Sequence, residues 1–258
     1  LSSLLSLVQN ENMKIYNRMR TWIMLGILVL TIISAGILMK VVLDLPYTHV
    51  LQFMGATTYL TGLCTIFSVI IAGDIVASEF SWGTIKLLLI RPASRSKVLA
   101  SKLIAALLFM ICLLAIHFIF SYFTGLILFG AGAPLIPGGE SFAGIVRVYL
   151  LDTVSIVMTV LLAFMISAAF RSSSLAIGLS IFLLLTKDGV VMVLARLKYE
   201  WVKYFVFANT DLTPYLTGGK PPIEGMTLGF SVTVLVAYAV LFYVVSWLLF
   251  TKRDVAGS

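Results

Sequence analysis

The sequence predicts an all-α membrane protein, a single transmembrane domain over residues 1–258 built as a bundle of six helices. Three observations lead there. The chain is 60% hydrophobic and only 11% charged, with a mean hydropathy of +1.09. A soluble domain averages nearer ~45–50% apolar and ~25% charged residues, so a water-soluble fold could not bury this composition. The apolar residues fall into six runs, each long enough to cross a hydrocarbon core of about 30 Å at about 1.5 Å per residue. None of the runs has the ten-residue alternation of a membrane barrel, and in lipid the remaining way to satisfy the backbone is the helix.

Residues 1–20 place Leu1, Leu4, Leu5, Val8, Ile15, Met19 and Trp22 at helical spacings, with Asn10, Lys14, Asn17 and Arg18 mostly elsewhere. This is the pattern of an amphipathic helix lying on the inner leaflet. The spans follow at roughly 21–43, 50–73, 98–129, 145–170, 173–195 and 227–250. The first is expected to be a retained helix, since the order of segments before it is wrong for a cleaved signal. Two connections are too long for turns. Residues 74–97 are basic, and Phe80, Ile85, Leu88 and Leu89 can form one face of a short helix that Pro92 stops; Ser94 is placed to cap the next span. Residues 196–226 carry Trp201, Tyr204, Phe205, Phe207 and Tyr215, an aromatic content suited to a segment folded back into the interface as two short helices.

Charge gives the orientation. Of 18 Lys and Arg residues, most flank one set of alternate loops: Lys14, Arg18, Arg20, Lys86, Arg91, Arg95, Lys97, Lys102, Arg171, Lys252 and Arg253. Basic residues stay on the cytoplasmic side, so both termini and the 74–97 loop are expected inside, with 196–226 outside. The net charge of +7 therefore reads as topology and contact with membrane lipid rather than as a nucleic-acid footprint. Cys64 and Cys112 lie within apolar runs as small hydrophobes, and no grouping of Cys or His has metal-ligand spacing. There is no G-x-x-x-x-G-K-[ST] loop, no H-E-x-x-H and no G-x-S-x-G. No catalytic residue, metal or cofactor is assigned to this chain, and His117 is read as a buried side chain bonded to a neighbouring helix.

Glu79, followed by Gly83-Thr84, a leucine run, Pro92-x-Ser94-Arg95 and then Lys102, resembles the coupling segment of the ABC-2 type permeases, the membrane subunits of bacterial ABC exporters. Asn10-Glu11-x-x-Lys14 with Arg18 and Trp22 is similar to that family's interfacial elbow, and Phe250-Thr251-Lys252-Arg253-Asp254 to its carboxyl end. The resemblance implies a bacterial plasma-membrane protein that pairs with a second copy of itself or a sister permease. Two separate ATP-binding cassette ATPase subunits would bind ATP and Mg. It further implies that Glu79, Phe80, Trp82, Gly83, Thr84, Lys86, Pro92, Ser94 and Arg95 form the element that docks on the ATPase. The 196–226 segment would then be a re-entrant external cap around Trp201, Tyr204 and Phe205.

An apolar bundle with few internal charges suits an amphipathic or hydrophobic cargo, a peptide, antibiotic or lipid, better than a sugar or an ion. The alternatives are an ATP-independent secondary transporter, for which only Asp152, Lys187, Asp188 and His117 offer intramembrane ionisable groups, and a non-transporting sensor or assembly protein. Lys187-Asp188 departs from the family pattern. Asp152 lies about 10 Å in from the outer edge of its span, and Lys187 about 9 Å from the same edge, so an intramembrane Asp152–Lys187 ion pair is expected. The other reading is that Lys187 and Asp188 mark an early end of the fifth helix.

Overall fold

The computed structural model describes residues 3–43, 47–83, 93–132, 141–197, 199–217, 219, 221, 223 and 225–252. Secondary structure among them is helical apart from one isolated bridge between His49 and Ala131. A short helix α1, Leu4–Tyr16, is followed by α2, Met19–Ile37, which runs on as a π-turn over Leu38–Val42. The second span is α3, Val50–Thr57, a tighter turn Thr58–Leu60, and α4, Thr61–Asp74; α5, Ala77–Ser81, follows it. Then come α6, Arg95–Phe129, α7, Phe142–Ala169, and α8, Ser173–Arg196. Two 3-10 turns, Glu200–Tyr204 and Val206–Asn209, lead to α9, Thr213–Thr217, and α10, Leu228–Lys252. Six of these segments are long and apolar enough to cross a membrane.

The helices start where side-chain oxygens can accept their first free amides. The Ser3 hydroxyl accepts from the Ser6 amide, Ser94 from Lys97, Ser141 from Gly144 and Ser172 from Leu175. Ser94 thus caps the third span as its position before Arg95 predicted. α6 stops at Gly130, whose φ of +75° is the left-handed turn that ends a helix cheaply only at glycine.

α4, α6 and α7 form the middle of the bundle, with α2 on α6, α8 on α4 and α7, and α10 on α7. Leu28, Ile32, Phe53, Cys64, Leu99, Phe109 and Phe164 make its core. The outer helices are apolar yet bare. The most hydrophobic stretch of α8 is 11% buried, against 56% for the α3–α4 span, and Ile27, Leu30, Leu185 and Val240 point away from the protein. In water so much exposed apolar surface would be a liability, whereas lipid tails are its natural solvent.

Three helices meet closely at one place. A Cβ on Gly36 of α2 would lie 2.7 Å from Leu128, and one on Gly125 of α6 would lie 2.9 Å from Phe53 and 3.0 Å from Val50 of α3. Small residues of this kind let transmembrane backbones approach. Gly125→Val should therefore destabilise the bundle by about 1–3 kcal/mol through overpacking. Gly178→Val, where an added Cβ meets nothing within 4 Å, should change little by comparison. Melting in detergent compares the two, and equal melting temperatures would contradict this packing.

Candidate functional site

The buried face of α1 is Leu7, Val8, Glu11 and Ile15, while Leu4, Leu5 and Met13 are exposed. A stripe at spacings of three and four thus carries a carboxylate inward, onto α6. There Lys102, two turns into α6 and 1% exposed, meets it: Lys102 Nζ donates to Glu11 Oε2 at 2.7 Å and to Glu79 Oε1 at 2.8 Å. Lys14 closes the figure, donating to Glu11 Oε1 and to Glu79 Oε1, each at 2.8 Å. The result is a ring of alternating charge, Glu11–Lys14–Glu79–Lys102, with no net charge.

Burying three of these charges, Glu11, Glu79 and Lys102, is expensive, and it is tolerable only where each is paired and hydrogen-bonded, as here; Lys14 reaches in from the surface. Burial works against the Lys14 ammonium, but hydrogen bonds and charges from Glu11 and Glu79 outweigh it and hold its pKa above the ordinary 10.5. The stabilisation from that raised pKa is fully present at neutral pH and is lost as pH climbs through the folded-state value.

A second cluster sits beside the first. Asp74, the last residue of α4, accepts from Arg18 Nη1 at 2.7 Å and also from Arg20 and from the Ser173 hydroxyl at the start of α8. Arg18 is the extended residue between α1 and α2. That elbow is locked further by Thr21 Oγ1, which donates to the Ile15 carbonyl, and by Trp22 Nε1, which donates to the Tyr16 carbonyl at 2.9 Å. The α4–α5 break is held by Ser167 of α7, whose hydroxyl accepts from the Val76 and Ala77 amides at 3.1 and 3.0 Å. Ser81 of α5 donates to the Arg171 carbonyl and accepts from the Ser173 amide. Arg95 Nη1 donates to the Thr251 carbonyl at 2.9 Å, which brings the end of α10 to the same end of the bundle.

The residues expected to dock on a partner therefore divide. Glu79 is not a surface group but a buried member of the ring, and Phe80 packs against the core. Trp82 is 77% exposed, and Gly83 follows it with a φ of +69°. Ser94 and Arg95 serve the start of α6; Thr84, Lys86 and Pro92 lie outside the described residues. The elbow residues Glu11, Lys14, Arg18 and Trp22 all come together here. Asp74, Arg20, Ser167 and Ser173 were missed. A lone aspartate at the end of an apolar run, five residues before another acid, was the available signal for Asp74.

Two expectations at the far end of the bundle are corrected. Asp152 and Lys187 form no ion pair: the Asp152 carboxylate accepts from Thr61 Oγ1 at 3.1 Å, and Lys187 acts on it only from a distance. α8 continues through Lys187 and Asp188 to Arg196, so these charges do not end the helix; Asp188 is exposed. Equal expected depth was not enough to make the two groups meet. The 196–226 segment, expected as two short helices, is instead two 3-10 turns and α9 among the described residues. Trp201 and Tyr204 are exposed and Phe205 is half-buried. The anchors are smaller apolar residues, Val206 and Leu212, packed on Met158, Leu161, Leu235 and Phe242. His117 is fully buried and shares a 2.7 Å hydrogen bond with Tyr149 of α7. Among the described residues no group of His, Cys, Asp and Glu could hold a metal ion.

Comparison with known proteins supplies the lineage. The chain is 37% identical to "Uncharacterized protein YhcI" of Bacillus subtilis (strain 168), across 98% of this chain and 100% of the relative. It is 33% identical to "Uncharacterized membrane protein YdbK" of the same organism, across 94% of this chain and 99% of that one. Six apolar spans and a relative named as a membrane protein agree that this is a multi-pass membrane protein. A family model described as "Protein of unknown function (DUF2705)" matches residues 27–256, and the chain belongs to that family.

Proposed function

We propose that the chain is the membrane-spanning subunit of an ATP-driven exporter, an ABC-2 type permease in which ATP and Mg are bound by two separate ATPase subunits. It works as a pair, with a second copy of itself or a sister permease, and its cargo is amphipathic or hydrophobic. Both termini and the 74–97 segment face the cytoplasm, where their excess of Lys and Arg keeps them. The observation that carries the reading is the ionic ring of Glu11, Lys14, Glu79 and Lys102. A short helix leading to an exposed tryptophan is bolted through it to α1 and α6, and through Ser81 to the α7–α8 connection. A push on Trp82 and Gly83 would reach three spans without passing through a flexible joint.

Trp82 is the residue that separates docking from folding. Its side chain is 77% exposed and makes no hydrogen bond or ring contact among the described residues, so Trp82→Ala should leave the melting temperature unchanged while recovery of a co-expressed, untagged ATPase encoded beside the gene falls tenfold or more. ATP-driven export should fall with it. An ATPase that never co-purifies with the unaltered chain, or that Trp82→Ala retains in full, would overturn the reading.

A further inference from the structure

A wide cleft of about 1090 Å³ opens between the α3–α4 span and α7, in the half of the bundle away from the ionic ring. Small-molecule sites run to roughly 300–1,000 Å³, so its size is that of a binding chamber rather than a packing defect. Its wall is mixed. Thr58, Thr61, Thr65 and Ser155 bring hydroxyls, Ile156 and Val148 bring apolar surface, and Asp152 brings a charge. Tyr59, on the same wall, is 89% exposed. Gly62 also faces the cleft, and a Cβ placed there meets nothing within 4 Å.

Asp152 is the unusual feature. One of its oxygens accepts from Thr61, and among the described residues the other accepts from no donor. Among the described residues Lys187 attracts it and Asp211 repels it, both from a distance, and neither pairs with it. An isolated carboxylate at such a depth in a membrane costs several kcal/mol. A cation entering the cleft would remove that cost, with Tyr59 able to offer a ring face and Ile156 and Val148 a bed for apolar groups.

We infer that this cleft binds a lipophilic cation, an amphiphile whose positive group pairs with Asp152 while its apolar body rests against α4 and α7. As a binding site it stands by itself; as the cargo site it rests on the exporter reading. The test uses two tetraphenyl ions of nearly the same shape and opposite charge, tetraphenylphosphonium and tetraphenylborate. Equilibrium dialysis against the full chain in phosphatidylcholine nanodiscs, with empty discs subtracted, should give saturable binding of the phosphonium and none of the borate. Asp152→Asn should weaken phosphonium binding at least tenfold, and Asp152→Glu should keep most of it. Gly62→Phe projects a ring into the cleft without removing the charge, and should weaken it to a similar degree. Melting temperatures within a few degrees of the unaltered chain would assign these losses to the cleft. Equal binding of both ions, or phosphonium binding unchanged in Asp152→Asn or in Gly62→Phe, would overturn the inference. Cation binding that holds while no ATPase co-purifies would support the site and remove only the exporter reading.

Discussion

Lys102→Met should be the most damaging single change in the chain, lowering stability by about 3–5 kcal/mol. Lys102 is 1% exposed and joins Glu11 to Glu79. Without it both buried carboxylates lose their fully buried partner, and the contact they still share is Lys14, whose side chain is 43% exposed and so screened by solvent. The damage comes from the charge left behind more than from the bonds removed, and this gives a signature. In Lys102→Met with Glu79→Leu one charge of each sign is gone, and Glu11 and Lys14 remain paired one turn apart on α1. The double variant should be more stable than Lys102→Met alone. Thermal unfolding in detergent compares the three chains; a double variant that melts lower than the single one would show that the ring is not an electrostatic unit.

The six spans were legible because each depends on local composition. A run of apolar residues long enough to cross the membrane must be a helix wherever it packs, and Ser94 and Gly130 mark ends by their own chemistry. The ring was legible in its members but not in its form. Glu11, Lys14, Glu79 and Lys102 were all among the residues that carry the resemblance to the ABC-2 permeases, yet Glu79 was placed on a docking surface. Sequence separation hides the contact: Glu11 and Lys102 are 91 residues apart, and only the packing of α1 on α6 brings them together. Asp152 and Lys187 fail for the complementary reason. Matching depth in antiparallel neighbours fixes height, not direction, and a helix turns about 100° per residue. Thr61, one helix away, was nearer to the carboxylate than the lysine was. In the 196–226 segment Phe207 and Tyr215 do pack on the bundle, but Trp201 and Tyr204 stay exposed, and the fully buried contacts come from Val206 and Leu212, unremarkable in sequence.

Asp74→Ala should release the elbow between α1 and α2. Its carboxylate is the shared acceptor for Arg18, Arg20 and Ser173, so one substitution undoes contacts to two segments that are far apart in sequence. The side chain of Asp74 is 5% exposed, whereas those of Arg18 and Arg20 are 41% and 34% exposed. A buried acceptor of charge-assisted bonds is worth about 2–3 kcal/mol, while each arginine, half in solvent and partly replaced by the other, is worth under about 1 kcal/mol. The expected order of damage is therefore Asp74→Ala well beyond Arg18→Ala or Arg20→Ala. Adding Arg20→Ala to Asp74→Ala should cost little more, because the guanidinium has already lost its partner. Trypsin reads the same event locally. With Asp74 gone, the chain around Arg18 and Arg20 loses its side-chain tie to α4 and keeps local bonds such as those of Thr21 and Trp22, and cleavage there should quicken severalfold under native conditions. Equal cleavage rates with and without Asp74 would mean that the elbow is held by the packing of α1 on α6 alone, and that the Asp74 cluster contributes charge balance rather than restraint.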